Sequence, residues 1–175
     1  MLTIARKKMK RMALNIPILD GDMRDFKTTE TFEVVLSMYD SINYLLNPDD
    51  LKRAFTCVHK ALQPGGIFIF DICTEYNSLI HFSDDYSEDT INGIWFSRHT
   101  FYRKRDRIQF NDFRIREKNG DLYQEFHRQR VYKQAEIRDA LLQAGFSLDG
   151  MFAGYTVQKP RSSTDRIHFV ARRGK

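Results

Sequence analysis

Residues 32–72 read FEVVLSMYDSINYLLNPDDLKRAFTCVHKALQPGGIFIFDI, and this stretch decides the fold. It holds two apolar runs, Phe32–Ser37 and Ile67–Ile72, which are suited to buried parallel strands. Between them, residues 47–50 (Asn-Pro-Asp-Asp) combine a helix cap, a proline at the first helical position and acids in the first turn. Strand, helix and strand in this order predict an α/β sheet.

Further elements of the same kind flank this unit. Apolar residues at steps of three and four predict an amphipathic helix over residues 2–12, and a short apolar run predicts a strand over Ile16–Leu19. Near the C-terminus, a second apolar periodicity predicts a helix that stops at Gly145 and is followed by a closing strand pair. The helical positions are Leu2, Ala5, Met9 and Met12, then Ile137, Leu141 and Leu142, and the closing strands span 146–155 and 166–171.

Between these parts, the pattern changes to alternating polar and apolar residues. Such alternation is typical of half-buried strands. Asn119-Gly120 joins the last two runs and is a strong signal for a tight hairpin turn. An antiparallel insertion over residues 76–132 is therefore predicted, with strands over 95–103, 107–117 and 122–132.

Length and composition limit the class of protein. A chain of 175 residues with 42% hydrophobic content fits one domain, 1–175. The net charge of +5, from 28 basic and 23 acidic residues, permits an anionic partner without requiring one. No apolar run reaches the roughly 18 residues of a membrane span, and Cys57 and Cys73 are too few for a disulfide framework. We expect a cytoplasmic protein with no membrane segment.

Metal and hydrolase chemistry find no support in the sequence. The histidines show no paired ligand spacing, and neither a Ser/His/Asp nor a Cys/His signature is present. The basic runs 103–105 and 172–173 can touch phosphate, but such runs are more often solvated strand edges or turns. We therefore predict no metal site and regard nucleic acid as an unfavoured partner. The histidines are His59, His81, His99, His127 and His168.

Five segments, taken in order, resemble the second half of class I S-adenosylmethionine-dependent methyltransferases. They are ILDGDMRDF, FEVVLSMYDSINYLL, the capped helix, LQPGGIFIFDI and EIRDALLQAGF. The resemblance covers residues 1–75 and 133–175 as a partial core, and residues 76–132 resemble the lid of small-molecule N-methyltransferases. It implies an incomplete Rossmann-like sheet with an inserted antiparallel lid, S-adenosylmethionine as cofactor, and methyl transfer to N or O of a small molecule.

The resemblance also implies part of a cofactor site. Asp22 would accept a hydrogen bond from the adenine amino group and Met23 would pack on the ring. Met38 and Tyr39 would line the methionine part of the cofactor. Two simpler interpretations remain open: residues 20–22 form only a turn, and Asp40 or Ser41 only caps a short helix.

A general base is less clearly indicated. Tyr39, His99 and His127 are candidates for deprotonating an amine or hydroxyl. A lone histidine on an amphipathic strand is, however, more often exposed or packed. In this family catalysis rests mainly on positioning the acceptor in line with the methyl group, so a diagnostic catalytic pair is not expected.

The chain departs from the family pattern at its start. The family begins with a strand, a glycine-rich turn and a second strand ending in an acid, and none of these is present. The helix at Leu2 also lacks a cap, which predicts a truncated chain. We then expect the strand at Ile16–Leu19 to re-pair, to stay loose, or to be covered by another chain, such as a second copy in a homo-oligomer. The alternative function is a catalytically inactive methyltransferase-like interaction module.

Overall fold

A computed structural model describes residues 2–174, in which most of the predicted runs become helices and strands. The helices are α1 (Leu2–Arg11), α2 (Pro48–Ala61), α3 (Glu75–His81) and α4 (Gln134–Gln143). The strands are β1 (Phe32–Ser37), β2 (Leu62–Cys73), β3 (Asp84–Ile91), β4 (Ile94–Arg103), β5 (Ile108–Arg116), β6 (Leu122–Arg130), β7 (Phe146–Ala153) and β8 (Arg166–Arg173). A short 3-10 helix spans Ser41–Tyr44.

The first sheet has the order β1-β2-β8-β7 and confirms the predicted α/β class. β1 and β2 pair in parallel, whereas β8 runs antiparallel to both β2 and β7. Stacked and tilted aromatic rings fill the core, with the Phe70 ring 5.1 Å from that of Phe55 and 5.0 Å from that of Phe169. Apolar strands covered by helices give this sheet its buried centre.

Helix α2 begins as the sequence predicts. The side chain of Asn47 accepts a hydrogen bond of 2.9 Å from the backbone N–H of Asp49, and Pro48 is the first helical residue. One face of the helix is buried, and the chain enters β2 directly at Leu62. The buried residues are Leu51, Ala54, Phe55, Val58 and Ala61.

The second sheet is antiparallel throughout, with the order β3-β4-β5-β6. It confirms the hairpin at Asn119-Gly120, where Gly120 takes a φ of 91°. It also contains a strand that the sequence pattern did not indicate, β3. Every side chain of β3 is exposed, so this strand has no buried face to produce an apolar alternation.

The predicted strand at Ile16–Leu19 is wrong, because residues 15–22 adopt no regular structure. Ile16 is 55% exposed and Leu19 is 71% exposed. Within residues 2–174, β1 pairs only with β2, so no strand lies at the outer edge of β1 to hold this segment. Of the three outcomes expected for this segment, re-pairing is therefore contradicted, and the other two stay predictions. Helix α1 forms as predicted, but it buries no side chain.

Alanine substitutions at two adjacent leucines of α4, one buried and one exposed, test which face of this helix packs into the core. Leu141 is 1% exposed and Leu142 is 74% exposed. Leu141→Ala should lower the free energy of unfolding by about 2–5 kcal/mol, because it removes buried methyl groups and leaves a cavity. Leu142→Ala should change it by about 0.5 kcal/mol or less. Urea unfolding of both variants measures the difference, and equal losses would contradict this core.

Candidate functional site

The chain turns sharply after β1, at the carboxyl end of a parallel strand. Tyr39 and Asp40 both lie in the left-handed region, with φ values of 59° and 48°. This conformation is uncommon for residues other than glycine, and such strain tends to occur at functional sites. The Asp40 carboxylate accepts hydrogen bonds from Arg166 Nη2 at 2.9 Å and from Gln129 Nε2 at 2.5 Å. The turn therefore directs Asp40 towards the second sheet.

Asp40 occupies the N-cap position of the 3-10 helix, but its side chain caps no backbone N–H there. The Ser41 hydroxyl donates to the Met38 carbonyl oxygen at 2.7 Å instead. The short helix and its cap position at Asp40 are therefore as the simpler interpretation expects, but neither the Asp40 nor the Ser41 side chain caps the helix.

A second carboxylate lies beneath this turn. Asp71, in β2, is fully buried, and its Oδ2 accepts hydrogen bonds from Arg166 Nη1 and, at 2.9 Å, from the backbone N–H of Asp40. Arg166 thus forms ion pairs with both carboxylates. Removing a charge from water costs several kcal/mol unless it is paired, so Arg166 is what allows Asp71 to be buried in β2.

A cavity of about 300 Å³ lies between this ion-pair network and the second sheet. Most of the residues that line it are polar, and ligands of α/β sheets collect at the carboxyl ends of the strands. The first sheet and the turn after β1 contribute Asp40, Asn43, Cys73 and Arg166, and the second sheet contributes Arg98, Gln109, Asn111 and Gln129. Burial raises the pKa of the Cys73 thiol to about 12, so this cysteine is neutral and a poor nucleophile.

A larger cavity, of about 660 Å³, lies beside β1 and is mainly apolar. Its size falls within the range of cavities that bind small molecules. The segment before β1 contributes Asp22, Met23 and Phe26, and the rest of the wall includes Leu36, Phe55 and Val58. Met23 and Phe26 also pack against the core.

Arg24 engages both oxygens of the Asp22 carboxylate. Its Nε and backbone N–H each donate to Oδ1 at 2.9 Å, and its Nη2 donates to Oδ2 at 2.5 Å. These hydrogen bonds lower the pKa of Asp22 to about 2. The local hydrogen bond from Arg24 N to Asp22 is that of an Asx-turn, so a turn begins at Asp22, whereas the turn expected over residues 20–22 does not form.

The sequence and the fold of this chain match known proteins. Residues 1–66 match the family described as methyltransferase domain. The putative methyltransferase YqeM of Bacillus subtilis (strain 168) is 28% identical over 179 residues, which cover 100% of this chain and 72% of YqeM. A crystal structure of an S-adenosylmethionine-dependent methyltransferase from Clostridium acetobutylicum ATCC 824 has a TM-score of 0.88 and 23% identity. That match covers 99% of this chain and 71% of the other.

The chain therefore has the fold of S-adenosylmethionine-dependent methyltransferases, and its first 66 residues match the methyltransferase domain family. A shorter match, 37% identical over 71 residues, is to the dTDP-3-amino-3,4,6-trideoxy-alpha-D-glucopyranose N,N-dimethyltransferase of Streptomyces venezuelae. It covers 41% of this chain and 28% of that enzyme.

The four residues predicted to bind a cofactor do not all line the same cavity. Asp22 and Met23 line the apolar cavity. Met38 and Tyr39 line neither that cavity nor the polar one. They lie in the turn that separates Ser37, in the wall of the apolar cavity, from Asp40, in the wall of the polar one. Tyr39 is 76% exposed.

The candidate bases lie outside the polar cavity. Both ring nitrogens of His127 are within hydrogen-bond distance of partners, with Nδ1 3.1 Å from Tyr44 Oη and Nε2 3.2 Å from Glu125 Oε2. His99 lies on β4, where its Nε2 is 2.9 Å from Asp84 Oδ1. Their roles as bases stay predictions.

Two groups at the ends of the strands were missed by sequence reasoning. Asp71 interrupts the otherwise apolar run Ile67–Ile72, and a carboxylate in a strand covered on both faces requires a cationic partner. That signal was available in the sequence. Nothing in the sequence identifies Arg166 as the partner, because it is 95 residues away along the chain.

The part of the chain that the structure describes contains no cluster of three or more His, Cys, Asp or Glu side chains able to hold a metal ion. Among the same residues, 2–174, no helix is long and apolar enough to cross a membrane.

The buried ion pair can be tested by removing its cation. Arg166→Met leaves Asp71 buried without a cationic partner, and we expect a loss of about 3–5 kcal/mol in the free energy of unfolding. Arg172, on the same strand, pairs with Asp149 and is 45% exposed. Arg172→Met should therefore cost about 1 kcal/mol or less. Urea unfolding compares the two variants, and a similar loss in both would contradict a special role for Arg166.

The three hydrogen bonds from Arg24 to the Asp22 carboxylate, called here the Arg24 clamp, predict an unusually low pKa for Asp22. Because its pKa is lowered from 3.8 to about 2, the carboxylate should stay ionised as the pH falls through 3. Its stabilising contribution is present above pH 3.8 and is lost as the pH falls to about 2. NMR titration of the side-chain carboxyl carbon measures this. Arg24→Ala should return the midpoint towards 3.8, whereas Lys27→Ala should not, and an unchanged midpoint in Arg24→Ala would refute the clamp.

Proposed function

We propose that this chain transfers a methyl group from S-adenosylmethionine to a nitrogen or oxygen atom of a small molecule. The observation that carries the proposal is the polar cavity between the ends of β1 and β2 and the second sheet. The strained turn of Tyr39 and Asp40 lies between this cavity and the apolar one. A methyl donor bound in the apolar cavity and a methyl acceptor bound in the polar cavity would approach each other at this turn.

The residues around the apolar cavity fit the adenosyl part of the cofactor. Met23 and Leu36 supply apolar wall for a ring system, and the Asp22 carboxylate supplies a hydrogen-bond acceptor. The Asp22–Arg24 pair is exposed, so its hydrogen bonds exchange with other donors at little cost. When bound, the cofactor supplies a methyl group activated by a sulfonium. Met38 and Tyr39 would lie along its methionine part.

The polar cavity would hold and orient the acceptor. Gln109, Asn111 and Gln129 offer amide groups to a polar molecule, whereas the Asn43 amide is already hydrogen-bonded to Arg130 and Cys73. Correct placement of two reactants alone contributes several kcal/mol to catalysis, so positioning is the main task we assign to this cavity. A base at Tyr39 or His127 is a secondary part of the proposal, because both lie outside the cavity.

The kind of acceptor is supported by a relative. The Streptomyces venezuelae enzyme that matches part of this chain is named for N,N-dimethylation of an amino sugar nucleotide. That name supports a small molecule with an amine as the acceptor here.

Calorimetry with S-adenosylhomocysteine, the demethylated product, tests the cofactor part of the proposal. We expect heat of binding for the native chain. Asp22→Ala should weaken binding about tenfold or more, because one charged hydrogen-bond acceptor contributes roughly 1.5–3 kcal/mol. Asp20→Ala, two residues away in the wall of the same cavity, is the matched control and should bind like the native chain.

Two results would count against this function. If the native chain gives no heat, the inactive interaction module becomes the better description. If Asp22→Ala binds as well as Asp20→Ala, the cofactor does not use Asp22.

A further inference from the structure

Arg98, in the wall of the polar cavity, is a cation without an anionic partner. Its guanidinium lies 4.5 Å from the centre of the Phe82 ring and 5.4 Å from that of Phe113. It donates one hydrogen bond, from Nη2 to Asn111 Oδ1 at 2.8 Å, and its Nε is buried without a hydrogen-bond partner. Within residues 2–174, no carboxylate comes within 4.0 Å of it.

Asp40 and Asp71 carry one negative charge more than Arg166 supplies, but both form their ion pairs with Arg166 and not with Arg98. Arg166 is paired with both Asp40 and Asp71, and Gln129 donates a further hydrogen bond to Asp40. Neither carboxylate lies within ion-pair distance of Arg98, although Asp40 and Asp85 favour its charged form from farther away. Burial lowers the pKa of Arg98, which means that its charged form is poorly solvated where it lies. A ligand that brings a negative charge would restore the interactions that this guanidinium has lost.

The surroundings of Arg98 favour a flat or tetrahedral oxyanion over a neutral polar group. Phe82 covers one face of the guanidinium, so its in-plane N–H groups are what a ligand can reach. In-plane N–H pairs match the two oxygens of a carboxylate or phosphate group. The nearby Gln109 is buried and its Oε1 has no partner, so it adds an acceptor for an N–H or O–H donor on the same ligand.

We propose that Arg98 selects a methyl acceptor that carries an oxyanion, a carboxylate or a phosphate, in the polar cavity. This inference rests on the proposed function, because it takes the polar cavity as the acceptor site. It makes Arg98 a specificity-determining residue.

Three probes, each a phenyl ring with a different polar group, distinguish a carboxylate, a phosphate and a neutral ligand: benzoate, phenyl phosphate and benzamide. Titration of the full-length chain without cofactor, followed by ¹H–¹⁵N NMR in a cationic buffer, gives a dissociation constant for each. We expect the better anion to bind about tenfold more tightly than benzamide, and the Arg98 Nε–H resonance to shift with it. The ratio between benzoate and phenyl phosphate identifies which oxyanion the cavity prefers.

Arg98→Gln should remove the preference for anions, and Arg98→Lys should keep part of it, which separates loss of charge from loss of fold. Arg103→Gln is the matched control, because Arg103 lies on the same strand, over the Phe110 ring, and pairs with Asp106 outside the cavity. It should bind the probes like the native chain.

The inference is overturned if benzamide binds as well as the anions, if no anion binds at its solubility limit, or if the preference survives Arg98→Gln. Parallel titration with S-adenosylhomocysteine reports only on the proposed function. A chain that binds the cofactor product but shows no anion preference keeps its function and loses this acceptor class.

Discussion

The structure around the site depends on one guanidinium. Arg166, at the start of β8, pairs with Asp71 in β2 and with Asp40 in the turn after β1. Three segments that are distant in sequence are thereby held at one point. Because Asp71 is fully buried, the alternative to this pairing is an uncompensated charge in the core, which costs several kcal/mol. The position of the turn therefore follows from charge neutralisation as much as from packing.

The same pairing explains the strained turn. Two successive left-handed residues, Tyr39 and Asp40, cost of order 1–3 kcal/mol each and persist only when the surroundings hold them. The backbone N–H of Asp40 donates to Asp71, and its carboxylate accepts from Arg166 and from Gln129 of the second sheet. The strain is therefore balanced by contacts that also tie the second sheet to the first.

The sequence predicted much of the fold, because its strongest signals are local. The cap and first-turn acids of α2, the apolar run of β2 and the Asn-Gly turn act within a few residues of themselves. Ile16–Leu19 has an equally good local pattern but no strand, since a strand needs a hydrogen-bonded neighbour that a pattern cannot supply. β3 forms without any buried face, because pairing with β4 alone determines it.

The site was less predictable than the fold. Asp22 and Met23 were found through resemblance and do line a cavity, but the clamp of Arg24 on Asp22 was not foreseen. Arg98 gave no signal at all, because an arginine on an alternating strand is normally solvated. Its significance comes from what is missing around it, and a missing counter-charge is a property of three-dimensional packing.

Two aspartate–arginine pairs differ in exposure, and this difference decides whether a ligand can replace the arginine. Asp22 and Arg24 are 43% and 41% exposed, so water competes for their hydrogen bonds and exchange with a ligand costs little. Asp71 is 0% exposed, and no ligand donor can replace Arg166 without first exposing the carboxylate. The exposed Asp22–Arg24 pair at the apolar cavity is therefore replaceable by a ligand, whereas the Asp71–Arg166 pair beneath the polar cavity is fixed. Arg98 is the complementary case, a half-buried cation with no carboxylate within 4.0 Å among residues 2–174, which is why we assign the pairing anion to the ligand.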